Sequence, residues 1–311
     1  MPAMKITFCC TGTDADPWLQ ELRAALPYAE VSAWAPGAPA ADYAVVWAPT
    51  QQFLDEQTSL RAIFNIGAGV DALLQLRLRL PAHIPLVRLN DAGMAAQMAE
   101  YITHAVVRHS RELARYETDM RQGQWEVRAP VLRQDWPVGI MGLGVLGART
   151  AQVLCALDFP VRGWSRCAKS IPGVTTFAGT AELSPFLQGT RILVNLLPLT
   201  AHTENIIRRE TLAQLLPGAY VINVARGAHV VDEDLVAMIQ SGHVAGATLD
   251  VFRQEPLPRT HPFWHLPQIT MTPHISARTL RSQSIAQIVD KIAALARGDA
   301  VAGLVDTQRG Y

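Results

Sequence analysis

The segment that most constrains this chain is residues 138–157, where an apolar run, a glycine string and a helical stretch follow one another directly. Val138-Gly139-Ile140-Met141 has the composition of a buried strand. It runs into Gly142-Leu143-Gly144-Val145-Leu146-Gly147, and residues 148–157 then read as a helix. In such a string the first glycine permits a tight turn and the second lets an anion approach the backbone. The third lets the helix pack close to the strand. Free amides at the helix start and the positive end of its dipole favour phosphate. The string therefore predicts a dinucleotide site at Gly142, Gly144, Val145, Leu146 and Gly147. An ordinary glycine turn would give the same letters, so the next segment matters.

That segment is a second strand, Val161-Arg162-Gly163-Trp164, which ends in Ser165-Arg166 with Lys169 close behind. An enzyme that uses NAD usually places a carboxylate here, on the ribose hydroxyls. A carboxylate repels a 2′-phosphate, whereas a hydroxyl and a guanidinium bind one. Charge-assisted hydrogen bonds of about 1.5–3 kcal/mol each give one or two orders of magnitude of preference. Ser165, Arg166 and Lys169 thus predict NADP(H) as the preferred cofactor, with NAD(H) possible. A solvated surface arginine is the alternative for Arg166.

The rest of the chain supplies the frame. At 311 residues it is long for one hydrophobic core, which favours two domains. Strand-like runs at 6–10, 44–47, 62–66 and 85–89 alternate with helical stretches, and a second alternating series covers 138–273. That alternation predicts an α/β fold with parallel sheets covered on both faces. Asp16-Pro17 reads as a helix start, with Trp18, Leu22, Ala25 and Leu26 on one face. Apolar positions keep helical spacing from Met94 towards Arg121, which predicts one helix roughly 40 Å long that bridges domains or packs on a second subunit. A last helix over 278–297 stops at Gly298, and the tail from 301 is expected to return to the first domain.

Lys plus Arg and Asp plus Glu number 27 each, so no global field selects nucleic acid or an anionic membrane. No apolar run approaches the roughly 18 residues that span a bilayer. Cys9, Cys10, Cys155 and Cys167 have neither disulfide-scaffold nor metal-ligand spacing, and no other metal cluster is evident. A reducing cytoplasm is the expected compartment.

Three polar residues follow apolar strands in the second half. Arg226 follows Tyr220-Val221-Ile222-Asn223-Val224-Ala225, Glu255 follows the run 247–251, and His274 follows Ile269-Thr270-Met271-Thr272-Pro273. In an open parallel sheet, ligands collect beyond the carboxyl ends of strands, so the three side chains can converge. Reducing a 2-oxo acid needs such a set. Hydride reaches the carbonyl carbon, and the developing alkoxide takes a proton that an imidazole is suited to supply. A carboxylate orients that imidazole and favours its protonated form, while a guanidinium polarises the carbonyl and holds the substrate carboxylate.

With these residues in view, the chain resembles the D-isomer-specific 2-hydroxyacid dehydrogenases over essentially its whole length. The resemblance is carried by 142–147, Asn223-Val224-Ala225-Arg226-Gly227, Asp250-Val251-Phe252 with Glu255-Pro256-Leu257-Pro258, and Thr272-Pro273-His274-Ile275. Leu197-Pro198-Leu199-Thr200 with Thr203 also looks like the family's segment flanking the nicotinamide. The resemblance implies Arg226 for substrate binding, His274 as acid–base and Glu255 as its partner. It implies Leu197, Pro198, Thr203, Val224, Ala225, Arg226, Asp250 and His274 around the cofactor, with Asp250 meeting the carboxamide. In the first domain, Gly67-Ala68-Gly69-Val70-Asp71 looks like the loop whose amides hold the substrate carboxylate.

Trp164-Ser165-Arg166, Lys169-Ser170, Gly93 to Met98 and the ending Arg309-Gly310-Tyr311 are similar to the family's bacterial glyoxylate/hydroxypyruvate reductases of the A type. Trp47 either crowds the substrate pocket towards small acids or is plain core packing. The family fold implies a dinucleotide-binding Rossmann domain over 98–285, inserted into a flavodoxin-like substrate domain formed by 1–97 and 286–311. It also implies a homodimer that pairs through the helix after Met94 and the Trp125 arm. Two other readings remain open from the residues: a reductase for a different 2-oxo acid, and an NADP(H)-binding sensor without turnover.

Overall fold

The computed structural model describes residues 3–67, 69, 70, 73, 74 and 83–306. The chain forms two compact units, one of Met1–Gly93 with Thr279–Tyr311 and one of Met94–Arg278, so the second interrupts the first.

In the first unit β1 (Met4–Cys10), α1 (Ala15–Ala25), β2 (Ala29–Ala33), β3 (Tyr43–Trp47), α2 (Gln51–Glu56), β4 (Ala62–Asn65) and β5 (Leu86–Arg88) follow in order. The strands lie in the order β2-β1-β3-β4-β5, all parallel. Strands buried on both faces become continuous apolar runs, as in Tyr43-Ala44-Val45-Val46, each of which is fully buried. Helix α1 begins two residues before the expected start. Asp14, in extended conformation, accepts a hydrogen bond from the Asp16 amide, which leaves Pro17 third in the helix. Trp18, Leu22 and Leu26 are buried as their spacing predicts, but Ala25 is exposed.

The last helix of this unit, Arg281–Arg297, starts three residues later than expected and ends on Gly298 in left-handed conformation. Beyond it the Arg88 amide donates to the Gly303 carbonyl (2.9 Å) and the Val305 amide to that of Leu86 (2.9 Å). The tail thereby lines the β5 edge and protects it from stray pairing.

The second unit opens with α3 (Met94–Ser110) and α4 (Leu113–Arg121), where the sequence predicts one long helix. Glu112 takes a left-handed conformation (φ 53°) between them. The stripe Met98, Ile102, Ala105 and Val106 is buried in α3, whereas α4 buries no residue, so no core contact keeps the two in line.

The chain then runs through β6 (Val138–Met141), α5 (Val145–Ala156), β7 (Val161–Ser165), β8 (Val174–Ala178), α6 (Leu183–Gln188), β9 (Ile192–Asn195), α7 (Arg209–Leu212), β10 (Ala219–Asn223), α8 (Asp232–Gln240), β11 (Val244–Leu249) and β12 (Ile269–Met271). The seven strands are ordered β12-β11-β10-β9-β6-β7-β8 and pair in parallel. Ile140, Ile192, Val194 and Ile222 pack with α3 and α5 on one face, and Met141, Leu193 and Val221 with α6 and α8 on the other. Order reverses between β6 and β9, the kind of switch point where a doubly wound sheet opens a crevice. Among the described residues no helix is long and apolar enough to cross a membrane.

Candidate active site

In the second unit the predicted residues stand at the carboxyl ends of consecutive strands. The glycine string follows β6 beside the switch point. Gly142 has φ +102°, and a Cβ there would press on the Leu196 carbonyl. A Cβ on Gly147 would collide with the Gly142 carbonyl, so close helix–strand packing requires glycine at both positions. Gly144 faces open space, and as N-cap of α5 it brings no capping side chain. Val145 is exposed and Leu146 half-buried at the first turn. An open glycine under an uncapped 12-residue helix fits a dinucleotide pyrophosphate.

At the end of β7, Ser165 is buried, and its hydroxyl donates to the Cys167 carbonyl (2.8 Å). That bond shapes the turn from which Arg166 and Lys169 project into solvent. The Lys169 carbonyl accepts from Thr176 Oγ1 (2.8 Å) and holds the other side of the turn. After β9, Leu197 is buried and Pro198 exposed. The Thr203 hydroxyl donates to the Pro198 carbonyl (2.7 Å) and accepts from the Thr200 amide (2.9 Å), so it shapes this loop from within.

Arg226 follows β10 in extended conformation, behind buried Val224 and Ala225. Gly227 next to it lies against the backbone of Phe252 and Arg253, where any side chain would collide. The position of Arg226 is thus tied to the loop after β11.

That loop and the end of β12 meet at His274. Its Nδ1 lies 2.8 Å from Glu255 Oε2, and Glu255 Oε1 accepts from the Phe252 amide (2.9 Å). Both carboxylate oxygens are committed, and an ionised carboxylate accepts only. Nδ1 therefore carries the proton in this pair, which leaves Nε2 as the nitrogen that can exchange one. The two side chains are 47% and 36% exposed, open enough to meet a ligand.

His274 has φ +56°, a conformation uncommon for a residue with a side chain. Asp250 holds it there. The His274 amide donates to the Asp250 carbonyl (2.9 Å), and the buried Asp250 carboxylate accepts from Ile275 N (2.8 Å), Ser276 N (2.8 Å) and Thr272 Oγ1 (2.5 Å). Tyr101 on α3 lies 2.5 Å from Thr272 Oγ1, and since that hydroxyl spends its hydrogen on Asp250, Tyr101 is the donor. Burial pushes the Tyr101 phenol up to about 12, which keeps it protonated. The resemblance implies a carboxamide contact for Asp250; the geometry adds a clamp on the His274 turn.

Sequence reasoning did not single out Tyr101 as a hydrogen-bond donor, nor Asn195 and Asn223 as supports. The Asn195 amide donates to Asn223 Oδ1 (3.0 Å), and both side chains are fully buried. A signal existed, since each asparagine ends an otherwise apolar strand, where a polar group needs a partner.

In the first unit, Trp47 ends β3 and its ring covers Gly67, where a Cβ would collide with it. Buried Asn65 donates to the carbonyls of Gly67 (3.0 Å) and Gly69 (3.1 Å), and Val70 is buried. Ala68, Asp71 and 309–311 lie outside the described residues.

Comparisons with known proteins bear on this geometry. Residues 103–276 match the family model described as D-isomer specific 2-hydroxyacid dehydrogenase, NAD binding domain. The chain is 45% identical to glyoxylate/hydroxypyruvate reductase A of Yersinia enterocolitica, across 99% of this chain and 100% of that protein. A Klebsiella pneumoniae protein of the same name is 46% identical over the same shares. Among solved structures, a D-isomer specific 2-hydroxyacid dehydrogenase from Xanthobacter autotrophicus Py2 in complex with NADPH and MES superposes with a TM-score of 0.94 at 38% identity, covering 99% of this chain and 100% of that one. An NADPH-dependent glyoxylate/hydroxypyruvate reductase from Sinorhizobium meliloti, in complex with NADP and sulfate, gives 0.90 at 33% identity with the same coverage. A strand-end set of arginine, glutamate and histidine, a glycine cradle at the switch point, and near-complete overlap with these relatives lead to one conclusion: this chain belongs to the D-isomer-specific 2-hydroxyacid dehydrogenases and is an NAD(P)-dependent oxidoreductase.

Proposed function

We propose that the protein reduces small 2-oxo acids, glyoxylate and hydroxypyruvate, to 2-hydroxy acids with NADPH. The observation that carries this reading is the His274–Glu255 pair at 2.8 Å, on a turn clamped by Asp250. The names of the Yersinia and Sinorhizobium relatives support the substrates and the cofactor.

When bound, NADPH would supply the hydride. Arg226 binds the substrate carboxylate and polarises the carbonyl, with a planar fork that a point charge cannot replace. His274 delivers a proton from Nε2 to the carbonyl oxygen, while Glu255 at Nδ1 stabilises the imidazolium before transfer. Gly142, Gly144, Val145, Leu146 and Gly147 would hold the pyrophosphate; Arg166 and Lys169 would hold the 2′-phosphate, while Ser165, whose hydroxyl hydrogen goes to the Cys167 carbonyl rather than to a ligand, shapes the turn that carries them. Leu197, Pro198, Thr203, Val224, Ala225 and Asp250 shape the nicotinamide pocket. Gly67, Ala68, Gly69 and Val70 offer backbone amides to the substrate, and Trp47 limits its size.

A homodimer completes the proposal. Trp125 (94% exposed), Val127 and Leu132 form an apolar arm that a monomer would leave in water, a pattern that favours a protein partner.

The direct test is His274→Ala. Turnover should fall roughly 10²–10⁴-fold while NADPH binding, followed by its fluorescence, stays near wild type. Retained turnover would remove His274 from the proton step.

A further inference from the structure

Beneath the loops that carry Pro198 and Arg226 lies a closed circuit of hydrogen bonds and close polar contacts. The Leu197 amide donates to Asn195 Oδ1 (3.2 Å), and Asn195 Nδ2 donates to Asn223 Oδ1 (3.0 Å). Asn223 Nδ2 then donates to the Arg226 carbonyl (2.9 Å). On the other side, His229 Nδ1 lies 3.0 Å from the same Arg226 carbonyl, and His229 Nε2 lies 3.3 Å from the Pro198 carbonyl. His229, Asn195 and Asn223 are all fully buried.

We propose that His229 is a positioning residue: its ring closes this circuit and sets the Pro198 wall at a fixed spacing from Arg226. Asn195 and Asn223 join the strand ends, and the amides of Asn205 and Ile207 donate to the Ala228 and His229 carbonyls further along the loops; the His229 ring adds a side-chain link between the Pro198 and Arg226 carbonyls. A buried imidazole is a rigid spacer: a neutral ring has one N–H to donate, and its two nitrogens stand at fixed points beside the Arg226 and Pro198 carbonyls. The proposal rests on the assignment of Arg226 to the substrate and Pro198 to the cofactor given above.

Two isosteric replacements separate the two contacts. The amide of asparagine reaches about where Nδ1 sits, and that of glutamine about where Nε2 sits. His229→Asn should keep the Arg226 contact: KM for glyoxylate stays near wild type while the Kd for NADPH rises about three- to tenfold, the size of one lost polar contact. His229→Gln should do the reverse, holding the NADPH Kd and raising KM for glyoxylate by a similar factor. His229→Ala should impair both, and thermal unfolding of each variant checks that the fold persists. Should the Ala variant fail to fold, the Asn and Gln pair still decides. Parallel changes in both constants for those two variants, or no change in either, would overturn the proposal. If the wild type reduces no 2-oxo acid, the substrate reading fails on its own account. The NADPH affinities of the Asn and Gln variants then decide about the ring, and equal values overturn it.

Discussion

Glu255 divides its carboxylate between the Phe252 amide and the His274 ring, and that division fixes which imidazole nitrogen holds its proton. Glu255→Gln disturbs this whichever way the new amide turns. With its nitrogen towards His274 it donates to Nδ1 and moves the ring proton to Nε2. With its nitrogen towards Phe252 it sets donor against donor. Turnover should fall about 10²-fold or more with little change in KM, because the lost interaction is strongest with the imidazolium. Steady-state rates for this variant check it, and wild-type turnover would show that Glu255 does not orient His274. The strand-end places of Arg226 and His274 and the pairing of His274 with Glu255 were legible in the sequence because each of the three follows an apolar strand. Tyr101 fell within the helical spacing from Met94 towards Arg121, and that spacing says nothing of a hydroxyl that meets Thr272 at 2.5 Å. Asp14 was hidden for a similar reason: two aspartates stand near the start of α1, and only the backbone geometry shows which one caps it.

At the scale of elements, the sheet of the second unit was legible because its strands are short apolar runs separated by helical spacing. The break between α3 and α4 was not, since the left-handed Glu112 has no compositional mark. Packing of α3 on the sheet carries a pH dependence. His109 stacks on Tyr220 of β10 at 3.8 Å and meets the Trp136 ring edge-on at 5.3 Å. Burial, with the nearby Arg191 charge, pushes its imidazole down from 6.5 to about 4. Between those values the unfolded chain binds more protons than the folded one, so stability rises with pH across that window. The contribution is complete above about pH 6.5 and is lost as pH falls towards 4, an effect of about 3 kcal/mol. His109→Phe should therefore flatten the slope of unfolding free energy against pH over this range in denaturant titrations. An unchanged slope would place the pH dependence elsewhere.

On the scale of the whole molecule, the glycine string and the His274–Glu255 pair lie in one doubly wound unit and the Trp47–Gly67 loop in the other. The exposed Trp125 arm supports the proposed dimer, so sedimentation should give twice the chain mass, and a monomer at micromolar concentration would contradict that proposal. The most direct test of the central claim is oxidation of NADPH, and of NADH in parallel, with glyoxylate, hydroxypyruvate, pyruvate and a bulky 2-oxo acid. Fast turnover of glyoxylate and hydroxypyruvate, favouring NADPH by one or two orders of magnitude, is the expected result. Preference for the bulky acid, or equal use of NADH, would contradict the roles given to Trp47 and to Ser165, Arg166 and Lys169.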